Sequence, residues 1–324
     1  MRTSIALCTY NGEKYLHEQL VSILDQTKKV DEIIVCDDCS KDKTRAILLE
    51  YKIKYPVLFT IINNESNLGY LRNFEKAISM CSADIIFLAD QDDIWEKNKV
   101  ETLTAYFENN KNKEVVFTNA ILFGNDKLTG TKLWDVLQFD KAKQNIINNS
   151  PDCIEWLWHN GTVATGATMA LRNKQKYLSI KKFKGYKHDG FIALMAAGSG
   201  QLGCINDCLI RYRQHPDQAL GVRDKLLPVA TLNKKTPLDK LKYIFKLQRH
   251  YLSELKSEEE FFRSIYLQTN SLFCKRKVQS LQKRISYYNL RVPLIVPYIF
   301  GYYKDAGGYR QLVRDIFGKT SIHR

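Results

Sequence analysis

The chain has 324 residues, 44% apolar and 11% aromatic, which suits one large domain plus an extension and excludes wholesale disorder. Its formal net charge of +14 is uneven: Pro237 to Arg324 holds 17 Lys+Arg against 7 Asp+Glu, so an anionic partner is to be sought there. Eight scattered cysteines, several in apolar runs, argue against a disulfide framework, and the longest apolar stretch, "VPLIVPYIFGYY", is too short and too proline-broken to span a bilayer.

The chain opens on a β-like run, "SIALCTY". A helix follows in "EKYLHEQLVSILDQT", where Leu16, Leu20, Ile23 and Leu24 recur at helical spacing. "DEIIVCDD" is the second strand, and Ser40 offers an N-cap for a helix in "KDKTRAILLEYKIKY". "VLFTIIN", "YLRNFEKAISMC" and "ADIIFLAD" continue as strand, helix and strand, and "IWEKNKVETLTAYF" reads as a helix. Strands of continuous apolarity joined by helices predict an α/β fold whose mostly parallel central sheet is covered on both faces. Ligands of such sheets bind beyond the carboxyl ends of the strands, which collects "TYNGE", "DDCSKD" and "DQDD" at one edge. Downstream, "VVFTNAILF" and "TVATGATMALR" read as strands, "GFIALMAAGSG" as a helix ending in glycine, and "GQLGCINDCLIRYRQH" as strand, turn and strand. From Pro237 the pattern is helical, with Leu241, Ile244, Phe245, Leu252 and Leu255 on one stripe, and "GYRQLVRDIFGK" closes the chain as a basic amphipathic helix. The expected division is a body over 1–230 and a basic helical extension over 231–324.

Asp90, Asp92 and Asp93 crowd together directly after an apolar strand. One carboxylate there can bind Mg²⁺ or Mn²⁺, hard cations that take oxygen ligands, while a neighbour takes ribose hydroxyls; the alternative is a solvated loop in which Asp93 caps the next helix. Asp37 and Asp38 form a second acidic pair at a strand end, suited to a base N–H or a ribose hydroxyl, or simply an acidic helix start. Asp189 precedes a helix and is either its N-cap or a base for an acceptor hydroxyl. His215 could complete a metal's coordination, and Arg211 or Arg213 could face phosphates. Cys36, Cys39, Cys204 and Cys208 could in principle hold zinc, although buried thiols explain them as well. "GSGQLG" matches a dinucleotide fingerprint literally but follows a helix, so it is read as a helix end and turn. No motif of a metalloprotease, serine hydrolase or P-loop enzyme is present.

Taken in order, "ALCTYNGEKYL", "DEIIVCDDCSKDKT", "NLGYLRNFEKA" and "FLADQDDIWEKNK", continued by "TGATMALR", "HDGFIALMAAGSG" and "YRQH", resemble the family 2 glycosyltransferases of GT-A fold. Within them the chain is similar to the bacterial branch that adds rhamnose or other sugars to O-antigen, capsule or cell-wall polysaccharides. The resemblance covers roughly residues 1–218. It implies a nucleotide-sugar-binding GT-A domain in which Thr9, Tyr10, Asn11 and Glu13 hold the nucleotide and Asp37 or Asp38 the base. It further implies that Asp90 lies near the ribose, Asp92 is the direct metal ligand, Arg72 lies near the diphosphate and His215 is a metal or diphosphate contact. Asp189 matches the catalytic base, and Mn²⁺ or Mg²⁺ is the implied cofactor. Cys39 stands where the family has glycine, so its turn must form without a positive φ, or with strain. Pro216-Asp217-Gln218 also departs from the family's usual continuation after "YRQH".

The expected reaction is inverting transfer of a sugar from dTDP-rhamnose or a UDP-hexose to a hydroxyl of a growing, lipid-linked glycan. The basic tail, with Tyr298, Phe300, Tyr302 and Tyr303, is expected to lie on the inner face of the cell membrane, or else to pack as an interface in an oligomer. Nucleic-acid binding finds no recognised module, and the acidic strand ends oppose it. The remaining rival is a catalytically silent sugar-nucleotide binder that scaffolds an assembly complex.

Overall fold

Unbroken apolar runs become strands buried on both faces. β1 (Thr3–Thr9) is buried along its whole length and runs parallel to β2 (Glu32–Asp37) on one side and β4 (Ile85–Ala89) on the other. β3 (Phe59–Asn63) adds in parallel to β2. The computed structural model describes residues 1–124, 129–151, 153–161, 163–177, 187–216, 218, 253 and 255–289. Contacts divide the chain into two compact units, Met1–Gly221 and Val222–Arg324.

In the first unit, helices α1 (Leu16–Leu24), α2 (Thr44–Lys54) and α3 (Gly69–Met80) connect these parallel strands. Leu16, Leu20 and Ile23 of α1 and Phe74, Ala77 and Ile78 of α3 are buried, as their spacing predicts. The remaining elements are β5 (Ile94–Trp95), α4 (Lys99–Asn109), β6 (Val115–Gly124), α5 (Leu133–Val136), α6 (Lys141–Asn149), α7 (Cys153–Asn160), β7 (Met169–Arg172), α8 (His188–Gly198) and β8 (Leu202–Gln214). They complete an eight-stranded sheet in the order β3-β2-β1-β4-β7-β6-β8-β5. Only β7 and β5 run against their neighbours, so the sheet is mostly parallel, as expected.

Four local expectations are corrected. Ile94 and Trp95 do not open a helix; they pair with Arg211 and Ile210 of β8, and α4 starts only at Lys99. Most of "TVATGATMALR" is loop and a 3₁₀ turn at Gly166–Thr168, leaving β7 only four residues. The expected turn in "GQLGCINDCLIRYRQH" is a bulge: β8 runs on for 13 residues and its register against β6 shifts between Thr118 and Ile121. Ser40 does not cap α2; its hydroxyl donates to Asp37 instead. "GSGQLG" is a helix end and turn, with Gly200 at φ 67.

In the second unit, residues 255–269 form a helix (α9) that pairs with α10 (Leu272–Asn289). Gln282 donates to Glu259 at 3.1 Å, Lys277 pairs with Glu258 at 3.1 Å, and Phe262 packs edge-on against Phe273. Leu241, Ile244, Phe245 and Leu252, the aromatics around Tyr302 and the closing amphipathic helix lie outside the described residues, whereas Leu255 is buried. Among the described residues no helix is long and apolar enough to cross a membrane.

Candidate active site

The carboxyl ends of β1 and β2 are tied together by side chains. Thr9 Oγ1 donates to Asp37 at 2.9 Å, Asn11 N–H donates to Ser40 Oγ at 2.9 Å, and Asn11 Oδ1 accepts from Lys41 N–H at 2.8 Å. Glu13 accepts from Lys43 N–H at 2.8 Å and its own N–H donates to Asp42 at 3.0 Å. Gln91 closes the third side by exchanging hydrogen bonds of 2.8 and 2.9 Å with the Tyr10 backbone. A Cβ at Gly12 would stand 2.2 Å from Gln91 Oε1, so a larger residue there would have to displace the Gln91 side chain that bridges to Tyr10. Cys39 does adopt a positive φ of 67, a strained setting for a side-chain residue, while its thiol donates to the Asn64 carbonyl.

Asp37 and Asp38 are both buried, and their partners separate them. Asp37 accepts from Thr9, from Ser40 N–H and hydroxyl, and from Arg45, which fills the roughly four lone-pair positions of a carboxylate. Asp38 accepts from Asn64 and Leu68 N–H on Oδ1 and from Gly69 N–H on Oδ2, holding the start of α3 and keeping one position on Oδ2.

β5 and β8 shape the acidic cluster. Arg213 N–H donates to Asp93 Oδ1 at 2.9 Å and its Nε donates to the Asp92 carbonyl at 2.6 Å. The guanidinium is held between the Tyr15 and Phe123 rings and pairs with Glu18. Arg211 pairs with Glu96, so neither arginine presents itself to a phosphate as expected. His215 Nε2 meets Asp92 Oδ2 at 2.9 Å, and its ring packs on Tyr15 at 4.8 Å. Asp93 is buried rather than capping a helix, and burial followed by the charges of Asp92 and Asp90 raises its carboxyl well above the usual range. Burial, then Asp92 and Asp189, push Asp90 up to about 7, against an opposing pull from Lys99.

That lysine is the residue the sequence does not reveal. Lys99 is fully buried, lies 3.8 Å over the Trp95 ring and donates to the Ala167 carbonyl at 2.7 Å. Burial pushes its ammonium down to about 7, countered by Asp93 and Asp90. Beside Ala167, Gly166 N–H donates to Asp189 Oδ2 at 3.2 Å, and Asp189 Oδ1 accepts from Gly190 N–H at 2.7 Å. Asp189 thus stands in the first turn of α8, not at its N-cap, Lys187. His188 stacks on Phe74 at 4.1 Å with both ring nitrogens unpartnered, and its Nε2 would lie 2.7 Å from a Cβ at Gly166. Tyr70, half-exposed, borders the same corner: burial and then the Asp189 charge raise its hydroxyl.

The fold therefore gathers Thr9, Tyr10, Asn11, Glu13, Asp37, Asp38, Asp90, Asp92 and His215 on the carboxyl-end edge, with Asp189 electrostatically coupled to Asp90. Arg72 is engaged by Glu75 on α3, and among the described residues no hydrogen bond or ion pair joins it to the acidic cluster. Asp92 Oδ2 and His215 Nε2 sit about as far apart as two adjacent ligands of a six-coordinate ion with ~2.1 Å bonds. Among the described residues no group of three His, Cys, Asp or Glu converges on one point. The protein would then supply two ligands, leaving the others to phosphate oxygens and water, a common arrangement for Mg²⁺. The zinc alternative does not survive: β2 and β8 are five strand spacings apart in the sheet, roughly 24 Å, so Cys36 and Cys204 cannot share an ion.

The model of glycosyl transferase family 2 matches residues 4–174. Over 230 residues the chain is 28% identical to the dTDP-rhamnosyl transferase RfbG of Shigella flexneri, covering 66% of this chain and 73% of that one. It is 30% identical over 132 residues to the putative glycosyltransferase EpsE of Bacillus subtilis (strain 168), covering 41% of this chain and under half, 48%, of that relative. The S. aureus TarS fragment 1-349, solved in complex with UDP-GlcNAc, superposes with a TM-score of 0.52 at 15% identity over 91% of this chain and 93% of that one, a likeness of fold.

Proposed function

The chain belongs to glycosyl transferase family 2, and from that premise we propose that it is an inverting, Mn²⁺- or Mg²⁺-dependent enzyme that moves a sugar from a nucleoside-diphosphate donor to a hydroxyl of a growing, lipid-linked bacterial surface glycan. The donor is dTDP-rhamnose or a UDP-hexose, with the rhamnosyl donor favoured by the similarity to a dTDP-rhamnosyl transferase. The observation that carries the reading is the pairing of Asp92 with His215 beside Asp90, with the Asp189 charge acting on the same Asp90 carboxyl. A scaffold that only bound the donor would have no need of a second, separately held carboxylate there.

Asp92 and His215 would hold the divalent cation, which when bound offsets the charge that builds on the departing diphosphate. Thr9, Tyr10, Asn11 and Glu13 frame the nucleotide, and Asp38, with acceptor capacity left on Oδ2, is better placed than the saturated Asp37 to take a base N–H. Arg72 would have to leave Glu75 to approach the diphosphate. Asp189, oriented by the N–H groups of Gly166 and Gly190, accepts the proton of the acceptor hydroxyl as that oxygen attacks the anomeric carbon. Attack from the face opposite the leaving diphosphate inverts the centre. The helical extension is proposed to associate with the inner face of the cell membrane, where a lipid-linked acceptor is presented.

The test is a panel of nucleotide sugars incubated with the purified chain and Mn²⁺, Mg²⁺ or EDTA. Metal-dependent hydrolysis or a thermal shift with one donor, lost in Asp92→Ala, is the expected result. Silence toward every donor in the presence of metal would leave the scaffold reading standing.

A further inference from the structure

α10 carries Lys275, Arg276, Lys277, Lys283 and Arg284 and no acidic residue. The helix sorts its sides: Cys274, Val278 and Leu281 are buried, while Lys275, Arg276, Gln279 and Lys283 are exposed along one stripe. From Leu272 to Lys283 that stripe runs about 16 Å at 1.5 Å per residue. Lys277 is paired with Glu258, whereas Lys275, Arg276 and Lys283 have no ion pair among the described residues. At the turn between α9 and α10, Leu267 is 74% exposed and Leu272, at the head of the stripe, 59% exposed, so an aliphatic tip stands at this end of the helix pair. A solvated basic face accounts for the charges and leaves the aliphatic tip without a role. A nucleic acid would satisfy the charges and leave both leucines wet.

We propose that this face of α10, with Leu267 and Leu272 at its end, is the surface by which the chain docks on anionic lipid headgroups. The surface deepens the membrane association proposed above and rests on it. Headgroup phosphates engage Lys275, Arg276 and Lys283 at once, while the leucines enter the boundary between headgroups and acyl chains. The docking element is then a helix that the sequence pattern did not single out.

The experiment is co-sedimentation of the full chain with vesicles of phosphatidylcholine alone or of equimolar phosphatidylcholine and phosphatidylglycerol. It compares the wild type with Lys275→Gln/Arg276→Gln/Lys283→Gln and with Leu267→Ser/Leu272→Ser. The expected result is binding to the anionic vesicles that falls on the order of a hundredfold in the triple variant, the loss of three contributions of about 1 kcal/mol each. The leucine pair should lower binding to both vesicle types. All the substituted side chains are exposed, so far-ultraviolet circular dichroism should match the wild type. Unchanged binding in the triple variant, or equal recovery on both vesicle types, would overturn the proposal. So would retention on RNA at a salt concentration that already releases the chain from anionic vesicles. Metal-dependent donor hydrolysis, measured without vesicles, should be the same in both variants. Failure of the wild type to hydrolyse any donor would count against the transferase reading and leave the docking result to be judged by itself.

Discussion

Lys99 Nζ donates to the Ala167 carbonyl at 2.7 Å while its charge acts on Asp90 and Asp93. One buried ammonium therefore acts on both halves of the site: by charge on the acids that follow β4, and by hydrogen bond on the turn whose Gly166 N–H orients Asp189. In Lys99→Met the carbonyl loses its donor, and Asp90 loses a neighbour that pulls its carboxyl down. The expected outcome is a lower kcat and a higher pH midpoint for Mn²⁺-induced thermal stabilisation, measured by scanning fluorimetry across pH. An unshifted midpoint would confine Lys99 to a packing role.

Asp92 and His215 should behave as a unit. If the pair holds the cation as proposed, Asp92→Ala would remove an oxygen ligand and His215→Ala a nitrogen ligand, and either should lower metal-dependent donor turnover by at least about a hundredfold. The double variant should be little worse than the worse single one, because each change already breaks the pair. Additive losses would point to separate tasks.

Asp189→Asn keeps the shape and would remove the proposed base. Transfer to acceptor should fall by about 10²–10⁴ in kcat, with the KM for donor nearly unchanged. A matching rise in donor KM would place Asp189 in donor binding instead.

Gly166→Ala would put a Cβ 2.7 Å from His188 Nε2 and 3.6 Å from Asp189 Cβ. His188 is clamped against Phe74 and cannot retreat freely. A destabilisation of about 1–3 kcal/mol in urea titration is expected, together with reduced transfer through a displaced Asp189. Wild-type stability would mean that the ring finds another place.

The pH dependence of stability follows from Asp90, whose folded carboxyl is raised from 3.8 to about 7. The fold favours its protonated form, so its contribution is fully present below the unfolded value and is lost as pH rises through about 7. In EDTA the melting temperature should decline across that window, and Asp90→Asn should flatten the decline. Added Mn²⁺ should raise stability most on the alkaline side, where the carboxylates are ionised.

Much of this was legible because two periodicities carry it. Continuous apolar runs such as "IIFLA" have one outcome in a sheet covered by helices, and Leu16, Leu20 and Ile23 have one buried face. The sheet rule then places "TYNGE", "DDCSKD" and "DQDD" on one edge from strand order alone. Pairings between segments distant in sequence lay beyond that reach. Ile94 and Trp95 carry a helical pattern and become a strand because β8 offers them a partner. Lys99 reads as a surface lysine until α4 packs it over Trp95 against Ala167. Asp37 and Asp38 look interchangeable, and only their hydrogen-bond partners tell the saturated carboxylate from the open one. Local sequence determined which elements form and which chemistry gathers at the edge, since apolar period and residue type act within a few residues. Tertiary structure decided burial, partner and charge state, because those depend on segments as far apart as Asp92 and His215.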